Sequence, residues 1–179
     1  MSQSYAGLWV RIKAFAADYL IISIYIIVLI GIGIIVQSIF PDLIQTLFGN
    51  PLSGQISGFF VITLPVTLYF ALFECSSYQA TWGKRWQGIK VTGKNGTKLS
   101  AVRSFGRTAL KFVPWELSHT CIWQIQYGSN EHIPIITSGF VLVWFLAGLY
   151  ALTLVMSSKK QTLYDRLTNT VVIRNVSKS

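Results

Sequence analysis

Apolar residues run almost unbroken from Ala14 to Val36, from Ile56 to Phe73 and from Ile133 to Met156. As helices, these stretches of 23, 18 and 24 residues would extend roughly 27–36 Å, about the depth of a bilayer's hydrocarbon core. Pro65 predicts a kink in the second. The intervening segments are different in kind. Residues 37–55 carry Pro41, Asp42, Gly49, Pro51 and Gly54, which read as a turn-rich connection. In the segment GIKVTGKNGTKL the pattern predicts a short β-hairpin turning at Lys94-Asn95-Gly96. Ser100 is placed to cap a helix starting at Ala101. That helix reads as amphipathic, with Arg103, Arg107 and Lys111 on one face and Val102, Phe105, Ala109, Phe112 and Val113 on the other. Pro114 is expected to break or kink it, and Trp115–Tyr127 continues with a mixed pattern containing Glu116 and His119. Near the C-terminus, TVVIR reads as a short strand able to pair with IKVT.

Composition turns this pattern into a class. Apolar residues make up 52% of the chain and charged ones 12%, about half the charge of ordinary soluble domains. The 15 Lys and Arg against 6 Asp and Glu do not point to nucleic acid, because they cluster beside the apolar runs, as charges do where they face anionic lipid. Tyr5 and Trp9 suit the interface. The first apolar run exceeds a signal peptide's core and is followed by no small-residue cleavage site, so it is expected to remain as a helix. Cys75 and Cys121 are too few for a disulfide framework and lie in no metal-binding spacing.

Lys and Arg are confined to residues 1–13, 74–111 and 157–179, with none in 37–55 or 128–132. The positive-inside rule then sets the basic loop, the tail and both termini in the cytoplasm. For the last span to end there, residues 108–127 must also cross. The expectation is an all-α integral membrane protein with four membrane-crossing helices, three apolar and one polar, over about 14–36, 56–73, 108–127 and 133–156. A short cytoplasmic β-hairpin and an amphipathic helix would accompany them, in a loop at 74–107 and a tail at 157–179. That topology discounts the sequons Asn95-Gly96-Thr97 and Asn175-Val176-Ser177 as glycan sites.

Within this frame Asp18 is the leading functional candidate, a carboxylate inside the first span. It costs about 2.5–3.5 kcal/mol there unless paired or hydrated. It suits either uptake and release of H+ or a cation, or anchoring of helix packing. Arg11 lies seven residues earlier, roughly 10 Å along the helix, so Arg107 or a residue of the third crossing is the better placed partner. Glu116 and His119 share a helix face three residues apart, which suits lining a polar pathway or hydrogen-bonding across helices better than a metal site, with His119 able to relay protons near neutral pH. Lys84, Arg85, Arg103 and Lys111 read as lipid-facing cations. Gly54 and Gly58 form one GxxxG, a modest pointer to dimerisation. No catalytic triad, metal cluster or nucleotide loop is found, so no enzyme activity, cofactor or metal is expected.

Three blocks, YAGLWVRIKAFAADYLI, TWGKRWQGIKVTGKNGTKLS followed by RSFGRTALKFVP, and KKQTLYDRLTNTVVI, resemble the RDD family of bacterial membrane proteins in this order. The family is named for an arginine and two aspartates, matched here by Arg11, Asp18 and Asp165. The resemblance implies a single domain over the whole chain, in a bacterial inner membrane. It also implies transport of a ligand, with sodium–proton antiport proposed for some members. Arg11 and Asp165 then suggest a cytoplasmic lock in which the tail folds back so that Asp165 meets Arg11 or Lys84-Arg85. The functional expectation is a transporter or channel-like subunit for H+ or a small cation, working as a homo-oligomer. The alternative is a membrane scaffold that assembles with a partner and moves nothing.

Overall fold

The computed structural model describes residues 4–127 and 133–175. The loop at 128–132 and the end of the Asn175-Val176-Ser177 sequon lie outside the described residues. Helix α1, Leu8–Ile39, is 32 residues long and contains no proline. It ends where Pro41 pushes Phe40 out of helical geometry (φ −132°, ψ 65°). Two short helices follow, α2 (Pro41–Phe48) and α3 (Pro51–Gly58). Each has proline at its first position, and Asn50 Oδ1 caps α3 by accepting from Ser53 N at 2.9 Å. A π-helical turn at Phe59–Thr63 joins α3 to α4 (Leu64–Cys75). Then come α5 (Trp82–Trp86), β1 (Ile89–Gly93), α6 (Ala101–Tyr127), α7 (Ile133–Met156), α8 (Leu163–Leu167) and β2 (Thr170–Arg174).

Among the described residues, three helical stretches are long and apolar enough to cross a membrane: Leu8–Ile39, Pro51–Cys75 and Ile133–Met156. Their exposed isoleucines, leucines, valines and phenylalanines form the kind of apolar surface that requires a nonaqueous environment. The first two spans are longer than the apolar patterns that announce them. Helix α6 does not meet the same criterion.

The chain divides into two compact units. One comprises Met1–Ile21, Thr67–Lys111 and Ala147–Ser179, the other Ile22–Val66 and Phe112–Leu146. The first has a small apolar core of Ala6, Ala14, Ile89, Val91, Leu99 and Val172. It is built around a two-stranded sheet. β1 pairs antiparallel with β2, Val91 opposite Val172. The expected hairpin is therefore corrected: the turn at Gly93–Thr97 forms, with Gly93 N donating to Thr97 O at 2.9 Å, but the strand beside β1 is TVVIR. β-Branched side chains on β2 fill the core face, which the polar Lys94–Lys98 segment has no apolar residues to do. Residues 4–6 continue the sheet along the other edge of β2, with Ala6 N donating to Val172 O and Arg174 N to Ser4 O, both at 2.9 Å. On the free edge of β1, Val91 N donates to Gln79 O at 2.8 Å.

Helix α6 starts at Ala101 as expected, with Ser100 Oγ accepting from Arg103 N. Its burial does not follow the expected two faces, however. Ser104, Arg107, Thr108 and Phe112 are buried, while Arg103, Ala109 and Val113 are exposed and Val102 is 84% exposed. Polar residues, Arg107 among them, take part in the inner face. Pro114 does not end the helix either. A proline lacks the N–H that the carbonyl four residues earlier requires, here that of Leu110, and the Tyr150 hydroxyl of α7 donates to it at 2.7 Å. Pro65 creates the same vacancy at Val61 O, which the Tyr25 hydroxyl of α1 fills. Tyr150→Phe is expected to cost about 1–3 kcal/mol by leaving that carbonyl bare. Denaturation of the purified chain in mild detergent checks this, and Tyr25→Phe should behave alike.

The GxxxG also acquires a local explanation. A Cβ on Gly54 would sit 2.6 Å from the Trp123 ring, and one on Gly58 would touch its indole nitrogen. The small residues make room for a tryptophan of α6 within the same chain, which replaces the dimerisation reading.

Candidate functional site

The first unit holds a chain of buried charges. Asp165, fully buried on α8, is bridged by two arginines. Arg11 Nη1 lies 2.6 Å from Asp165 Oδ2, and Arg107 donates through Nε to Oδ1 at 2.8 Å. Arg107 also reaches Glu74 through Nη1, and Lys84 Nζ reaches the other oxygen of Glu74. The order Arg11, Asp165, Arg107, Glu74, Lys84 alternates in sign, so each carboxylate sits between two cations. Such alternation is what makes charge burial tolerable, because an unpaired buried ion costs several kcal/mol. Burial alone would raise the Asp165 carboxyl, but the guanidiniums of Arg107 and then Arg11 outweigh it and hold it below the ordinary carboxylate range. Burial pushes the Lys84 ammonium below the usual lysine range, opposed by Glu74.

Local sequence explains how these side chains are aimed. Asp165 belongs to a capping box: Thr162 Oγ1 accepts from Asp165 N at 3.3 Å, and Asp165 Oδ2 accepts from Thr162 N at 3.2 Å. That arrangement orients the carboxylate. Arg11 is fixed by two further acceptors, Ala6 O at 3.1 Å and Lys160 O. The Tyr164 ring lies 5.1 Å from the Arg107 guanidinium carbon.

Asp18 is 1% exposed and is bound differently. Tyr69 Oη donates to Oδ1 at 2.8 Å, Gly83 N to Oδ1 at 2.7 Å, and Thr81 Oγ1 to Oδ2 at 2.6 Å. Thr81 is also the N-cap of α5, accepting from Lys84 N, so Asp18 fastens the start of that helix onto α1. Gly83 permits the approach: a Cβ there would strike the Ala14 carbonyl oxygen and lie 2.8 Å from Asp18 Cγ.

The expected site residues thus separate into groups. Arg11 and Asp165 meet, as a lock requires. Arg107 is corrected as the Asp18 partner: its Nε and Nη2 reach Asp165 and its Nη1 reaches Glu74, while Asp18 is taken by two hydroxyls and a backbone N–H. Lys84 and Lys111 are corrected as lipid-facing cations. Lys84 is buried against Glu74, and Lys111 Nζ lies over the Phe70 ring at 3.3 Å from its centre. Arg85 and Arg103 are exposed. In the second unit, Glu116 and His119 lie together with Gln55 and Thr63. Glu74, Tyr69, Thr81 and Gly83 escaped the sequence reading. The signal available was Glu74 itself, an acid at the end of an apolar span ten residues before Lys84.

The Arg11–Asp165 pair takes in a third residue, Arg107, and this alters how it responds to charge exchange. Arg11→Asp with Asp165→Arg would set the new arginine against Arg107. The double variant is expected to be no more stable than either single one in detergent unfolding, whereas an isolated pair would be rescued.

The sequence model of the RDD family matches residues 5–169. No curated protein and no solved structure matches the chain. The match takes in α1 with Arg11 and Asp18, the α5–β1 segment that binds Asp18, and the α8 capping box of Asp165. The chain belongs to the RDD family.

Proposed function

We propose that this RDD-family membrane protein is a transporter or channel-like subunit for H+ or a small cation. In this reading it resides in a bacterial inner membrane with both termini cytoplasmic, α6 supplies a fourth crossing over about 108–127, and the chain works as a homo-oligomer. The carrying observation is Asp18, a carboxylate 1% exposed within a helix whose length and composition suit a membrane. Ionisable groups at such depth are costly and commonly mark ion pathways. The Arg11–Asp165–Arg107 lock would close the cytoplasmic end. Anionic lipid would lie against Arg85 and Arg103.

A specific observation favours the scaffold reading as well: both oxygens of Asp18 are already occupied by donors. The two readings part in one experiment. Wild type and Asp18→Asn are reconstituted at equal, correctly folded incorporation, and H+ movement is followed by a pH-sensitive dye after Na+ or K+ is added. Transport predicts exchange in the wild type and its loss in the variant. A silent wild type with every cation tried, together with lowered abundance of Asp18→Asn in cells, supports the scaffold.

A further inference from the structure

The second unit contains a carboxylate with no strong cation. Residues 22–66 and 112–146 include neither lysine nor arginine. Lys111 precedes Glu116 by five positions on the same helix, which turns it roughly 140° away around the axis, and its ammonium lies on Phe70. Glu116 is nevertheless half-buried, and its neighbours are specific. Thr63 Oγ1, from the π-helical turn, donates to Oε2 at 2.7 Å, and Gln55 Nε2, from α3, donates to Oε1. His119, from the same helix, places Nδ1 3.9 Å from Oε2 and 3.5 Å from Thr63 Oγ1. The contrast with Asp165 and Glu74, each held between two cations, is the clue. Neutral donors alone answer this carboxylate, as they do Asp18, but here an imidazole that can carry a proton stands beside it.

Gln55 bears on where that proton can go. Its Oε1 is buried and has no hydrogen-bond partner. An amide presents a donor or an acceptor after a half-turn about its last bond, and the two orientations differ only in hydrogen bonding. Beside an ionised Glu116 the amide donates through Nε2 and strands Oε1. Beside a protonated Glu116 the turned amide accepts the carboxyl O–H.

The geometry points to Glu116 as an exchangeable proton-binding site, with Gln55 adapting to both charge states and Thr63 linking it to His119. Loading is balanced with a proton from water: neutral His119 takes it at Nε2 and passes its Nδ1 proton to Thr63 Oγ1 as the Thr63 hydroxyl proton passes to Glu116, so the imidazole ends neutral and the carboxylate becomes a carboxylic acid. The ligand is H+ rather than a metal cation, because among the described residues no third His, Cys, Asp or Glu joins Glu116 and His119 to complete a coordination shell. This site is independent of the reading of Asp18 and of whether the chain transports.

Infrared difference spectroscopy on the full chain in lipid vesicles tests it. The wild type should show a carboxylic C=O band that shifts in D2O, disappears on raising pH and is lost in Glu116→Gln. Thr63→Val removes a donor that favours the ionised form. It should move the titration midpoint upward by about one pH unit, and it decides the matter by itself if Glu116→Gln does not fold. A band that survives Glu116→Gln, or a midpoint unmoved in Thr63→Val, overturns the proposal. So does a midpoint that shifts when NaCl replaces choline chloride at constant ionic strength. A titrating band in a chain that is silent in flux assays supports this site and counts only against transport.

Discussion

Arg107→Met is expected to destabilise the first unit by about 3–5 kcal/mol, the usual cost of breaking a buried ion pair from one side. Arg107 is 2% exposed and serves Asp165 and Glu74 at once. Its loss removes the group that joins Asp165 to Glu74, so the alternation fails at its centre. Arg107→Lys sharpens the test. It retains the charge, but a single ammonium has no planar fork to bridge two carboxylates. Its stability should therefore fall between wild type and Arg107→Met. Both are read from unfolding in mild detergent, monitored by tryptophan fluorescence. A loss below about 1 kcal/mol for Arg107→Met, the range of exposed pairs, would refute the role of Arg107 as keystone.

Gly83→Ala should be nearly as severe, although it adds one methyl group. The new Cβ would meet the Ala14 carbonyl oxygen and crowd Asp18 Cγ and N, each 2.8 Å away. Overpacking of this kind costs about 1–3 kcal/mol. Here α5 must also shift, weakening the hydrogen bonds from Gly83 N and Thr81 to Asp18, at about 1.5–3 kcal/mol for a bond to a charged group. Ala14 and Asp18 belong to α1 and Gly83 to α5, so neither neighbour is the far end of a flexible side chain. Low yield and a lowered unfolding midpoint for Gly83→Ala are expected. Gly106→Ala is the control, since a Cβ at Gly106 meets nothing within 4 Å.

How far each feature was legible in the sequence depends on the range of the interaction behind it. Membrane character was plain, because hydropathy sums over a span and needs no partner. The start of α6 at Ala101 was legible for a related reason, since a cap acts within four residues, whereas α2 and α3 were not, residues 37–55 reading as a turn-rich connection. The pairing of TVVIR with IKVT could be proposed from composition, yet the turn signal at Asn95-Gly96 suggested a local hairpin. A turn specifies a reversal of the chain, and the strand that fills the core face is chosen by shape and burial.

The charged residues show the limit most clearly. By sequence, Arg11, Asp18 and Asp165 could be identified as the ones to watch, and the Arg11–Asp165 contact could be suggested, but the partners of Asp18 and the second arginine on Asp165 could not. Arg107 went to Asp165 and Glu74 instead of Asp18, while Arg103, one turn before it, is exposed. Helical periodicity identifies which residues share a face and is silent on which way that face points. On α6 the buried polar pairing of Arg107 decides it. The sequence by itself determined the apolar spans, the start of α6, and the supply of ionisable groups. Only the tertiary structure decided which carboxylate receives two arginines, which receives hydroxyls and a backbone N–H, and which is left beside a glutamine and a histidine. Those assignments depend on contacts between residues up to 154 positions apart, set by packing that no local pattern encodes.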